Sequence, residues 1–247
     1  MTTALTLSLF FLSAVLTSML SATVGMAGGT VLLSFLNFFY GFREMIPLHA
    51  ATQLVSNAAR TWYLREHVQK KLFFKFIAGS IFGVALGTYL LSRISSDLVP
   101  SLLIATFILY ELLKPKKLPS VHVSENGFIL VGVLIGTLSM FAGATGLLLG
   151  IFILGLKASK EETIALQAAM QTFNHAAKLV GFVYLGWRME NQFLPFVVLS
   201  VGAVLGTRFG VILLEKIPAK LFFWIFRAVL LASAIKILVS AGLAFLH

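Results

Sequence analysis

The chain alternates long apolar runs with short polar connections, and the runs fall at 4–24, 29–41, 46–64, 72–91, 98–113, 127–141, 146–156, 162–186, 193–214 and 220–245. Runs of about 20 apolar residues match the length a helix needs to cross a bilayer. The pattern predicts ten helices. Two runs, 29–41 and 146–156, are too short: at 1.5 Å per residue they reach about 16–20 Å, against a hydrocarbon core of about 30 Å. Each short run follows a glycine-rich interruption, Gly25-Met26-Ala27-Gly28-Gly29-Thr30 in one case and Ala142-Gly143-Ala144-Thr145-Gly146 in the other. Glycine lets the backbone turn sharply or approach another group closely, and a helix start presents unpaired N–H groups. In a membrane, broken backbone is tolerated only where protein or a water-filled cavity covers it. Two readings stand. The glycines pack helices closely, or the breaks bracket a substrate site, as interrupted segments in matching positions of a transporter do.

The only polar connection of any length, 114–126, divides the chain into a first unit, 1–113, and a second, 127–247, of five segments each. The units align at an offset of 117, which sets Gly29 on Gly146, Glu44 on Glu161, Asn57 on Asn174 and Ala59 on Ala176. At an offset of 119, Leu86-Gly87-Thr88 meets Leu205-Gly206-Thr207. Five crossings per unit make the repeats inverted. The expected fold is therefore all-α and polytopic, with two inverted repeats and broken helices at their interface.

Charge supports ten crossings. With all ten segments crossing, one side holds eleven Lys and Arg and the other three; with the short segments turned back, the split becomes eight to six. The positive-inside rule favours the first arrangement, with both termini outside, the linker inside, and the chain in the cytoplasmic membrane. The composition agrees: 59% of residues are hydrophobic and 11% charged, with mean hydropathy +0.97. The formal charge of +10 lies mostly in short loops, so it needs no nucleic-acid partner. The chain has no cysteine, and neither a metal nor another cofactor is called for. A membrane-embedded enzyme would need an acid, base or metal cluster at depth. The five histidines are scattered and the carboxylates sit at segment ends, so catalysis is not expected.

Polar residues at membrane depth are costly and normally face the bundle interior or a cavity. The third segment of each unit carries such a stripe at helical spacing: His49, Gln53, Asn57 and Arg60 in one, Gln167, Gln171, Asn174 and Lys178 in the other. The stripes either join helices by hydrogen bonds or line a site. Arg60 sits near a segment end and is within reach of the surface by snorkelling, whereas Lys178 lies deeper. An environment of amides, hydroxyls, glycine N–H groups and a cation suits a small anion. On this reading the binding residues are Gly25, Gly28, Gly29, Thr30, Gln53, Asn57, Arg60, Thr145, Gly146, Gln171, Asn174 and Lys178. Lys178, ahead of Arg60, balances the charge. His49 and His175 are structural or carry protons. Lys236 lies at depth without polar neighbours at helical spacing.

The chain resembles the TauE/SafE family of membrane transporters, named after sulfite exporters. The resemblance rests on the glycine-rich break at 25–30 with its apolar run, the Ala/Ser/Asn segment 50–62, the repeated Leu–Gly–Thr stretches and the terminal pattern from Ile217-Pro218 to Lys236. It implies a permease for a small sulfur-containing anion, sulfite or an organosulfonate, with lipid as its environment. Other small anions, such as thiosulfate, sulfide or a carboxylate, and a non-transporting membrane subunit are the alternatives. A homo-oligomer is compatible with the sequence. The second break has Thr145 where the first has Gly28.

Overall fold

A computed structural model describes residues 3–24, 28–113, 120–212 and 219–245. Ten α-helices follow in order: α1 (Ala4–Val24), α2 (Gly28–Leu36), α3 (Phe42–Tyr63), α4 (Lys70–Ser92), α5 (Leu98–Leu113), α6 (Gly127–Ala142), α7 (Gly146–Leu154), α8 (Lys160–Tyr184), α9 (Phe193–Ile212) and α10 (Ala219–Phe245). The described residues contain no strand. α1, α4 and α9 are long and apolar enough to cross a membrane, and α5, α6 and part of α10 are shorter apolar helices. The protein is an all-α polytopic membrane protein. Gly25 lies outside the described residues.

Two helix pairs pack where small residues allow it. On α4, Gly79, Gly83 and Gly87 recur every four residues, so they form one ridge-free line. A side chain there would strike the backbone of α6 at Ile129, Val133 and Thr137. Gly132 and Gly136 of α6 answer against Phe76, Ser80 and Val84, and Thr137 Oγ1 donates to Gly83 O at 3.0 Å. On α9, Gly202, Gly206 and Gly210 meet α1 at Phe11, Val15 and Met19 in the same way. The rising numbers on both partners show that α4 runs parallel to α6, and α1 parallel to α9. Glycine seams of this kind bring helix backbones together where lipid supplies no hydrophobic drive between helices. The glycine of each Leu–Gly–Thr stretch, Gly87 and Gly206, is therefore a seam residue.

α3 and α8 cross at the centre, α3 against α9 and α8 against α4. The α3 stripe is thus turned toward α8 rather than toward lipid. α2 folds back along α1: Phe10 packs on Phe39 at 5.0 Å and on Phe35 at 6.1 Å, while Gly28 abuts Thr17 and Ser21.

The loops gather at two opposite ends. At one, Arg43 Nε pairs with Asp97 at 2.9 Å, and Gln192 Nε2 donates to Glu44 O at 3.3 Å. At the other, Lys71 and Lys75 pair with Glu125 at 2.6 and 3.3 Å, and Val121 N donates to Ile151 O at 3.1 Å. Hydrogen bonds from Lys71 and Lys75 hold the Glu125 carboxyl below its ordinary range. Lys236 donates to the Asn37 carbonyl just past the end of α2, and Asn37 Nδ2 donates at 3.3 Å to Ser233, a polar neighbour one turn before Lys236 on α10 that the sequence reading passed over. A cation beside a helix C-terminus meets the negative end of its dipole. Lys236 thus ties α10 to the short helix.

Candidate functional site

Where α3 and α8 cross, the two short helices point their N-termini at one cavity from opposite ends of the bundle. α2 leaves the cavity at Gly29 and Thr30 and runs nine residues toward the Arg43 end; α7 leaves it at Thr145 and Gly146 and runs nine residues toward the linker end. Nine residues span about 13 Å, so each short helix covers the distance from the cavity to one end. The N-cap residue of α7, Thr145, makes no capping bond with its side chain, and its buried hydroxyl is unpartnered. A helix N-terminus left open in this way favours an anion.

The cavity has a volume of about 30 Å³ and is lined by Ser21, Gly29, Thr30, His49, Gln53, Asn57, Arg60, Ala144, Thr145, Gly146, Gln167, Gln171 and His175. An ordered water needs roughly 10–15 Å³ by the same measure, so the space suits a small desolvated solute. Depressions of about 350 Å³ beside Arg43, Trp187 and Arg188, and about 690 Å³ beside Lys70, Lys71 and Lys157, open at the two ends.

Arg60 fixes the polarity of the α3 wall. It is 2% exposed, and a guanidinium has donors only. Its Nη1 donates to Asn57 Oδ1 at 3.2 Å, which turns the amide of Asn57 inward to Gln53. Asn57 Nδ2 then donates to Gln53 O at 2.8 Å and to Gln53 Oε1 at 3.3 Å. Gln53 Nε2 is left buried and unpartnered, as are Arg60 Nε and Nη2. An unpaired buried donor costs about 1–3 kcal/mol, and three on one wall ask for an acceptor. His49 Nε2 donates to Gly29 O at 2.9 Å, and its ring meets that of His175 edge-on at 5.8 Å. Both Nδ1 atoms are buried without a partner.

Of the described residues expected at the site, Gly29, Thr30, His49, Gln53, Asn57, Arg60, Thr145, Gly146, Gln171 and His175 line the cavity, and three others do not. Gly28 lies against α1. Asn174 Oδ1 accepts from Ser80 Oγ of α4 at 3.2 Å, so the two repeat-equivalent asparagines have different partners. Lys178 sits behind the wall, fully buried, and donates to Gly143 O at 2.5 Å. Gly143 is the C-cap of α6 with φ 71°, so Lys178 meets the negative end of the α6 dipole rather than the cavity. The charged group on the cavity wall is Arg60, three residues from the end of α3 but turned inward.

Gln167, Ser21 and Ala144 complete the lining and were not expected as site residues. Gln167 stands on the polar stripe of α8, where its register was visible. Ser21 is one of several serines and threonines along α1 with nothing in the sequence to set it apart, and Ala144 has no polar side chain, so neither carried a signal.

A buried polar cavity at mid-bundle, closed by two half-helices and flanked by an opening at each end, defines the architecture of a membrane transport protein. The family profile described as sulfite exporter TauE/SafE matches residues 10–237. The chain belongs to the TauE/SafE sulfite exporter family of membrane transporters. Comparison with curated proteins and with solved structures gives no match.

Proposed function

We propose that the chain is a permease that passes a small sulfur oxyanion, of the sulfite or organosulfonate class, through the cavity between α2 and α7. The observation that carries this reading is the set of buried, unpartnered donors, Gln53 Nε2, Arg60 Nε and Nη2 and Thr145 Oγ, on a cavity faced by two helix N-termini. Arg60 supplies the fixed charge, Asn57 and Gln53 orient it, and Lys178 adds positive potential from behind. His49 and His175 are the groups available to take a proton that moves with the anion. A thermal-shift screen of the purified protein against sulfite, thiosulfate, sulfonates and carboxylates tests this, because a ligand that binds the folded state raises its apparent stability. Stabilisation by carboxylates but by no sulfur oxyanion would refute the assignment.

In this reading residues 1–113 and 127–247 form inverted repeats in the cytoplasmic membrane. The pairing of α4 with α6 and of α1 with α9, and of α3 with α9 and α8 with α4, is what an exchange of the two units would produce. The linker end, with Arg65, Lys70, Lys71, Lys75, Lys157 and Lys160, faces the cytoplasm and both termini lie outside. In this cysteine-free chain, single cysteines at Ser120 and Ser124 should be shielded from an impermeant thiol reagent applied to intact cells. Labelling of both without permeabilisation would reverse the orientation.

A further inference from the structure

The cavity wall is not donors alone: Gln171 Oε1 and the Nδ1 atoms of His49 and His175 are buried there without a partner, and Gln167 is the amide whose acceptor a hydrogen bond fixes in place. Gln167 Nε2 donates to Gly146 O at 3.0 Å. A carbonyl only accepts, so this bond fixes the amide: turning it over would set oxygen against oxygen. Gln167 Oε1 therefore faces away from Gly146 as an acceptor, buried and without a partner in a side chain that is 2% exposed. Its polarity is opposite to that of Gln53, whose free Nε2 is imposed by the Arg60–Asn57 chain. The two glutamines lie on α8 and α3, and both line the same cavity.

Charge points the same way. Arg60 is the one Lys or Arg on the cavity wall among the described residues, since Lys178 is spent on the Gly143 carbonyl. A single side-chain cation balances a monoanion, and the second charge of a dianion would be met only by the partial charges of the two helix N-termini, about half a charge each.

We propose that the cavity binds its oxyanion in the singly protonated form, with Gln167 Oε1 accepting the hydroxyl of the ligand while Arg60, Gln53 and Thr145 donate to its remaining oxygens. This rests on the sulfur-oxyanion reading above and adds the protonation state of the substrate and the residue that selects it. A fully deprotonated oxyanion has no hydrogen for Gln167 and would bury a lone pair against a lone pair. Discrimination of this kind is strong because the buried partner is left unpaired by the wrong ligand.

Three ions separate the possibilities. Sulfite changes from monoanion to dianion near neutral pH. Methanesulfonate stays a monoanion without a hydroxyl, and sulfate stays a dianion. The titratable groups facing the cavity are His49 from α3 and His175 from α8, beside the Arg60 guanidinium; α1, α2 and α7 contribute none, and Lys178 lies behind. Titration of these groups acts on methanesulfonate as it does on sulfite, so the ratio of the two affinities reports the proton on the ligand. Calorimetry on the whole protein in nanodiscs should show that ratio falling at least about fivefold from mildly acidic to alkaline pH, because only the competent fraction of the ligand binds. Sulfate should bind more weakly than sulfite at acidic pH. In Gln167→Met the fall of the ratio with pH should weaken by at least about twofold relative to wild type, because the ligand hydroxyl loses this acceptor. A ratio that stays flat or rises with pH, or sulfate bound as tightly as sulfite, would overturn the inference and leave the sulfur-oxyanion reading standing. No binding of any of the three would remove both. The wild-type comparison decides the matter even if Gln167→Met does not fold.

Discussion

Arg60→Gln should lower the affinity of the cavity for a sulfur oxyanion by about a hundredfold, or about 2.7 kcal/mol. Arg60 is fully enclosed and offers Nε and Nη2 to the cavity. Removing one member of a buried, hydrogen-bonded charge pair costs 2–5 kcal/mol or more, much of it from leaving the other charge unpaired. Glutamine keeps polarity but is shorter and loses the charge and the fork. Lys178→Gln should cost at most about threefold, because its ammonium reaches the ligand only as potential through the wall. Asn57→Ala should fall between, since Asn57 Oδ1 holds Arg60 Nη1 and points the fork inward. Titration calorimetry on the three variants in nanodiscs gives the order. A larger loss for Lys178→Gln than for Arg60→Gln would return the charge-balancing role to Lys178 and show that the cavity opens toward α6.

That order is the reverse of the one the sequence suggests, and the reason is tertiary. A polar stripe gives the face of a helix, and both Arg60 and Lys178 stand on such a face. It does not give the partner. The partner of Lys178 is a carbonyl set free by the break in α6, a group every residue has and no sequence pattern marks. The depth argument failed for the same reason: Arg60 lies near the end of α3, but Asn57 one turn earlier draws its guanidinium inward. Helix existence was far more legible. α1 and α5 begin and end where the apolar runs do, because lipid-facing helices need apolar side chains throughout. The starts of α3 and α8 lie earlier than the runs, at Phe42 and Lys160. Ser159 and Glu162 form a capping box, with Glu162 N donating to Ser159 Oγ at 3.1 Å and Ser159 N to Glu162 at 2.9 Å. That Ser-x-x-Glu signature stood in the sequence, and hydropathy alone passes over it because the first helical turn is charged. α2 stops at Leu36 although the apolar run continues to Gly41, since apolarity continues through the turn that packs Phe39 and Tyr40 on Phe10.

The two glycines that open α2 should separate folding from transport. A Cβ on Gly28 would collide with the Thr17 carbonyl and Ser21 Oγ of α1. A backbone carbonyl inside a helix has little freedom to withdraw, so Gly28→Ala forces the α1–α2 hairpin apart. Overpacking of this kind costs about 1–3 kcal/mol, which for a chain of this size lowers Tm by about 3–10 °C. A Cβ on Gly29 meets no backbone; its nearest neighbour is Gln53 Cδ at 3.7 Å, an ordinary contact. Gly29→Leu therefore leaves the hairpin intact and sends its branched carbons along Gln53 into a cavity of about 30 Å³. The side chain would occupy the space of the anion and cover the donor of Gln53. Gly29→Leu should thus be recovered as folded protein with its Tm within a few degrees of wild type, and should show neither transport nor stabilisation by sulfite. The folded fraction of Gly28→Ala, held below its lowered Tm, should bind sulfite as wild type does. Thermal melts with and without sulfite, beside uptake into proteoliposomes, measure both variants together. Normal transport by Gly29→Leu would place the permeation path away from the α2 N-terminus, and a wild-type Tm for Gly28→Ala would show that the hairpin opens at that contact without cost.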